Sequence, residues 1–173
     1  MIVRTVGHST RGLEEFTGLL SAFGIEALVD VRRFPGSRKY PHFSQERLPG
    51  SLISVGVEYL HIPELGGRRH PRPDSGNTVW RSESFRGYAD HMETAQFRTG
   101  VERLLELGGR KNTAIMCSEA VWWRCHRALI ADFLKAGGVD VEHILSPVKS
   151  APHPYTSAAR VVSGRLTYAG GGE

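Results

Sequence analysis

Cysteine is scarce in this chain: Cys117 and Cys125 are the only two among 173 residues, too few for a disulfide-held scaffold. Long hydrophobic runs are missing as well. No stretch approaches the roughly 20 apolar residues of a membrane-spanning helix, and the opening MIVRTVGHSTRG pairs a charge at Arg4 with an apolar run too short for a secretory signal. A cytoplasmic protein without a membrane partner is expected, with its cysteines reduced. Low-complexity tracts and internal repeats are absent too, and a composition of 40% hydrophobic and 23% charged residues is that of a globular chain. Nor is there a large excess of one charge. A formal net charge of +4 permits an anionic partner, so the placement of the basic residues matters more than their sum.

That placement is uneven. Basic residues gather in RRFPGSRKYPH (32–42), in GGRRHPRP (66–73) and from Arg124 to Arg127. Basic loops serve solubility or hold an anion, and both readings stand for each cluster taken alone. The length suits one domain, with a core over about 1–146 and a C-terminal loop and hairpin over 147–173.

Hydrophobic period divides the core into alternating elements. Strands are predicted at IVRTVG (2–7), ALVDVRRF (27–34), VEYLHI (57–62), NTAIMC (112–117) and VEHIL (141–145). Helices are predicted on the stripe Leu13, Phe16, Leu20 and Phe23, at about 44–55, at 85–92, around Phe97 to Leu105, and from Trp122 to Leu134. Alternation of this kind implies an α/β fold, a three-layer arrangement with a mainly parallel sheet flanked by helices. ARVVSGRLTY (159–168) reads as a hairpin at the sheet edge, PVKSAPHPYTS (148–158) as a surface loop, and AGGGE (169–173) as a frayed end. The Pro-, Gly- and Arg-rich segment running to about residue 82 exceeds the usual limit of about 12–15 residues for a structureless connection, which suggests a functional loop or lid.

In open parallel sheets, ligands bind beyond the carboxyl ends of the strands. The residues found there are His8, Ser9 and Thr10, then Asp30, Arg32 and Arg33, then His61 with the PELGG turn, then Cys117, Ser118 and Glu119. Four strand ends carrying polar chemistry make a shared site the expectation.

Each candidate has a sharp reading and a plain one. Cys117, at the predicted strand-to-helix junction, is either a nucleophile whose thiolate the helix start favours or a small buried hydrophobe. Glu119 beside it disfavours a thiolate, and Arg124 and Arg127 compensate. A phosphatase-type loop needs an arginine six positions after its cysteine. Position 123 is Trp, and SEAVWW has no glycine, so that cradle does not fit. Cys117, Cys125 and His126 could offer three metal ligands, but Cys-x7-Cys-His is no standard zinc spacing, and neither a metal nor another cofactor is expected. His126 is a core histidine or a general base. Asp30 and Arg32 pair with each other, or Asp30 orients Arg32 for an anion. Ser9 caps the first helix or binds an anion at its start. Arg68 and Arg69 suit phosphate, and Trp80, Trp122, Trp123 and Tyr40 either stack bases or fill the core.

Taken together, TVGHSTRGLEEF, VDVRRFPGSRKYPHF, YLHIPELGGRR and MCSEAVWWRCHRALIADFL resemble the domain of unknown function 488 family, in order and in spacing, over residues 3 to about 146. The resemblance implies a compact α/β protein of bacteria or archaea. It also implies that the motif positions are His8, Ser9, Asp30, Arg32, Pro35, His61, Glu64, Gly66, Gly67, Cys117, Glu119, Cys125, His126 and Arg127. It names no reaction. The residues themselves suggest a hydrolase-like enzyme of nucleic acid or of a phosphorylated small molecule. Its acid–base residues would come from Asp30, Glu119, His8, His61 and Cys117, and its phosphate contacts from Ser9, Arg32, Arg68, Arg69, Arg127 and Trp122. Cys125 and His126 would support these from behind. Two other readings stay open: a sulfur- or acyl-transfer enzyme using Cys117, and a non-catalytic module binding nucleic acid.

Overall fold

The computed structural model describes residues 1–170. Five parallel strands, β1 (Ile2–Gly7), β2 (Ala27–Asp30), β3 (Glu58–His61), β4 (Thr113–Cys117) and β5 (Asp140–Ser146), form a sheet in the order β3-β2-β4-β1-β5, and an antiparallel strand β6 (Lys149–Pro152) closes its edge. The expected α/β architecture is therefore present. β4 is buried along its whole length, as a central parallel strand covered on both faces must be.

The helices fall into two layers. α1 (Leu13–Ala22) sets Phe16, Leu19 and Leu20 one turn apart, and these pack with Leu48 and Leu52 of α2 (Leu48–Ile53) against Val6, Leu28, Ala114 and Met116 on one sheet face. α3 (Glu83–His91), α4 (Ala95–Gly108) and α5 (Arg127–Ala136) cover the other face, where Phe97, Val101 and Leu104 meet Val29, Ile115 and Leu129. Ser82 and Thr94 cap α3 and α4 by accepting the N–H groups of Phe85 and Phe97.

The connection after β1 passes over the first face and the connection after β4 over the second. β1 and β4 are neighbours in the sheet. Departure of adjacent strands to opposite faces opens a crevice at their carboxyl ends, the switch point at which such sheets bind ligands.

Four sequence expectations change. The segment expected as a surface loop supplies β6, and the hairpin β7 (Arg160–Val162) and β8 (Arg165–Thr167) stands as a separate two-stranded sheet beside α5 rather than extending the main one. The helix expected over 44–55 is shorter, Leu48–Ile53, preceded by a 3-10 turn at Pro41–Phe43. The helix expected from Trp122 begins at Arg127, because a 3-10 turn at Trp122–Arg124 ends in an extended Cys125. Of the expected frayed end, residues 171–173 lie outside the described residues.

Candidate active site

A cavity of about 560 Å³ occupies the crevice, with residues from all four of the strand ends singled out above. Behind β1 come His8, Ser9 and Thr10; behind β2, Arg32, Arg33, Phe34, Gly36, Ser37 and Tyr40; behind β3, Gly67 and Arg68; behind β4, Cys117, Ser118, Glu119, Arg124, Cys125 and His126. The β1 and β4 segments stay joined past the sheet, His8 N–H donating to Cys117 O at 3.0 Å and Ser9 N–H to Ser118 O at 3.0 Å. Gly7 permits this closeness: a Cβ there would lie 1.8 Å from the Glu119 carbonyl oxygen. Ser9 (φ 50°) and Arg68 (φ 59°) are left-handed without being glycine, and both stand on the pocket wall, where such strain tends to gather.

The two cysteines meet at the floor. Both are free thiols, buried to 2% and 5% exposure, with their sulfurs 2.7 Å apart. Because α5 starts at Arg127 rather than at Trp122, the helix-start environment expected for Cys117 belongs to Cys125. The Cys125 sulfur accepts the Arg127 N–H at 3.4 Å and lies 3.6 Å from His126 Nδ1. His126 Nε2 must carry a hydrogen, since it faces the Val31 carbonyl at 2.8 Å, so Nδ1 is the nitrogen turned to sulfur. Gly67 leaves room for that ring, as a Cβ at 67 would meet Nδ1 at 2.9 Å.

These contacts set the protonation states. Burial opposes a charge on Cys125, but the Cys117 hydrogen bond, His126 and Arg127 outweigh it and hold this thiol well below its ordinary pKa. Burial and the neighbouring Cys125 push Cys117 well above the ordinary thiol value. Burial likewise opposes charge on His126, yet Cys125 and the Val31 carbonyl raise its pKa. These directions favour charge on Cys125 and His126 and leave Cys117 as the neutral member of the sulfur pair.

The walls are basic. Arg32, Arg33, Arg68 and Arg124 line the pocket, with Glu119 as the carboxylate among its lining residues. Asp30, fully buried, orients Arg32 through both oxygens, at 2.9 Å to Nε and 2.7 Å to Nη2, and also accepts Tyr59 Oη at 2.5 Å. Arg32 Nη2 also donates to Phe43 O, so Nη1 is the donor left on the pocket side, 3.4 Å from His8 Nε2. His8 gives its Nδ1 hydrogen to Ser9 O and stacks on Phe43; burial and then Arg32 lower its pKa to about 4. It stands at neutral pH as an uncharged acceptor.

The remaining sequence candidates lie elsewhere. Asp30 is sealed behind Arg32, and His61 points its Nε2 at Arg32 O outside the cavity lining. Arg69 is spent on the Gly66 and Pro63 carbonyls. Arg127, 1% exposed, ties Glu119 O (2.7 Å) to Thr5 Oγ1 (3.4 Å) beneath the pocket. Trp122 stacks on His143 at 4.3 Å, and Trp80 packs on Phe85 and Tyr168; Tyr40 lines the cavity, and Trp123 is exposed, edge-on to Trp122, outside that lining. The long loop is fixed rather than loose, with Arg72 N–H, Ser75 and Asn77 all donating to Asp90. Tyr59, Phe43 and the His126-to-Val31 bond were not among the sequence candidates; their signal is the strand register, which sets Tyr59 beside Leu28. Among the described residues, no group of three His, Cys, Asp or Glu is placed to hold a metal ion, and no helix is long and apolar enough to cross a membrane.

Residues 12–134 match the family described as Domain of unknown function DUF488. No curated protein sequence and no solved structure matches the chain.

Proposed function

We propose that this chain, which belongs to the DUF488 family, is a thiol-dependent enzyme that takes an anionic substrate into the crevice and attacks it with Cys125. The observation that carries this reading is the environment of one sulfur. Cys125 sits against His126 Nδ1, the Arg127 N–H and the Cys117 thiol, on the floor of a pocket walled by four arginines. A thiolate is the reactive form of cysteine, and these groups hold the charge in place before substrate arrives. Arg32 Nη1, Arg68 and Arg124 supply charge for an anion, and the His126 Nδ1 proton is available for a departing group.

The roles of the sequence candidates are redistributed accordingly. Cys125 takes the nucleophilic role first assigned to Cys117; Asp30 acts only by orienting Arg32; Ser9 and Glu119 line the pocket. Alkylation by iodoacetamide near pH 6, mapped by mass spectrometry, tests this. Cys125 is expected to react at least about tenfold faster than a free cysteine, and inorganic phosphate is expected to slow it by shielding the pocket. Reaction at the pace of an ordinary thiol overturns the reading.

A second reading, acid–base processing of nucleic acid, is favoured by two rings exposed next to arginines. Phe34 is 63% exposed beneath the Arg33 and Arg68 guanidinium groups, and Trp123 is 56% exposed beside Arg124. Rings and cations in this mixture suit base stacking and phosphate contact. Salt-dependent binding of a single-stranded oligonucleotide, lost in Phe34→Ala and Trp123→Ala, would support it; no binding at low salt removes it.

A further inference from the structure

One thiol suffices for acyl or phosphoryl transfer, yet a second lies 2.7 Å from the first. Cys117 ends β4, fixed by the ladder to β1, and Cys125 follows eight residues later on the turn into α5. The chain holds no other thiol. We propose that Cys117 is the resolving partner of Cys125, that the two sulfurs close into a disulfide in each turnover, and that the substrate they reduce is an anionic disulfide. This rests on the reading of Cys125 as the nucleophile.

The hydrogen bonds set the order of events. Cys125, as thiolate, attacks one sulfur of the substrate disulfide R–S–S–R; a Cys125–S–S–R bond forms and R–S⁻ leaves, taking the His126 Nδ1 proton. His126 is then neutral. The Cys117 sulfur, already in contact, attacks the Cys125 side of the mixed disulfide; the Cys117–Cys125 bond forms, and the second R–S⁻ departs with the proton that Cys117 loses. Two electrons pass from the two cysteines to the substrate, which leaves as two thiols. An external dithiol reductant restores the pair by the same exchange in reverse. Closure is favoured because the second sulfur is held in place rather than found by diffusion.

Charge selects the substrate. Four arginines face one carboxylate across the pocket, so a disulfide carrying carboxylates or phosphates is drawn in while a neutral one is not. Phe85 and Tyr88 also line the pocket, adding apolar surface for the body of such a molecule.

The test uses the full chain and dithiobis(nitrobenzoate), an aromatic disulfide with two carboxylates whose released thiolate is coloured. Wild type is expected to release about two equivalents of thiolate in one fast phase and to become lighter by two hydrogens, with Cys117 and Cys125 in one cross-linked peptide. Cys117→Ser is expected to release about one equivalent and to keep a stable adduct on Cys125. One equivalent from wild type, with the adduct persisting on Cys125, overturns the resolving role and leaves the nucleophile intact. Separate adducts on both cysteines overturn it too. No fast reaction at Cys125 removes the functional reading itself. The wild-type mass decides the matter even where Cys117→Ser fails to fold. Substrate charge is tested separately: Arg68→Ala with Arg124→Ala is expected to slow this reagent about tenfold and a neutral dipyridyl disulfide hardly at all. Equal rates for the two reagents overturn the anionic preference.

Discussion

Two polar clusters lie within this small fold, and they treat their hydrogen bonds in opposite ways. Behind the sheet, Thr5 Oγ1, His143, His153 and Asp132 form an unbroken chain at 2.6, 2.9 and 2.7 Å, and Asp132 also accepts Thr156 N–H, Thr156 Oγ1 and Tyr168 Oη. Asp132 accepts only, so His153 gives it the Nε2 hydrogen. Everything there has a partner, and the side chains of Asp132 and His153 are fully buried. In the crevice the donors are left over: Arg32 Nη1 has only a long contact to His8, and Arg68 and Arg124 are exposed on the pocket wall. A satisfied cluster holds the fold together, whereas one with unused donors waits for a ligand.

If that contrast is right, a variant in the first cluster changes stability and not reactivity. Asp132→Ala strands the donors of His153, Thr156 and Tyr168, and is expected to cost about 3–5 kcal/mol in denaturant unfolding. The alkylation rate of Cys125 in the protein that stays folded should be unchanged. A reactivity loss matching the stability loss would join the two clusters into one unit.

Gly67→Ala cuts the other way. A methyl group 2.9 Å from His126 Nδ1 displaces the ring that faces Cys125, so the expected stability cost is only about 1–2 kcal/mol while the fast alkylation near pH 6 falls markedly. Unchanged alkylation would show that His126 does not stabilise the thiolate.

A third effect concerns acid, and both clusters share it. His8 is lowered to about 4 by burial and by Arg32, and His143 to about 3 by burial, His153 and Arg127. As the pH falls below the ordinary histidine value the unfolded chain takes up protons that the native state refuses. Stability is therefore whole above about pH 6.5 and declines on acidification, through about pH 4 for His8 and further for His143. His8→Asn should flatten the upper part of a melting temperature curve against pH; a curve unchanged by it would mean that His8 is not buried uncharged.

The strands were legible in the sequence because each is a short apolar run closed by turn residues, and their ends predicted the crevice by topology alone. β6 was not legible: KSAP carries no apolar alternation, and it pairs only because β5 offers it an open edge. The partnership of Cys125 with His126 was hidden by the Trp122, His126, Leu129 and Phe133 spacing, which imitates a continuous helix. The actual chain turns at Cys125, and only that turn brings its sulfur to Cys117. Asp132 lies on α5, His143 on β5 and His153 just past β6, and no local pattern links them.

The ladder between β1 and β4 runs on into the crevice through the His8 and Ser9 amides. A loop that belongs to the sheet in this way has already lost its conformational freedom when the protein folds. Binding an anion there should then carry little ordering entropy, and calorimetry should show an affinity governed by charge and desolvation rather than by the closing of a flexible wall.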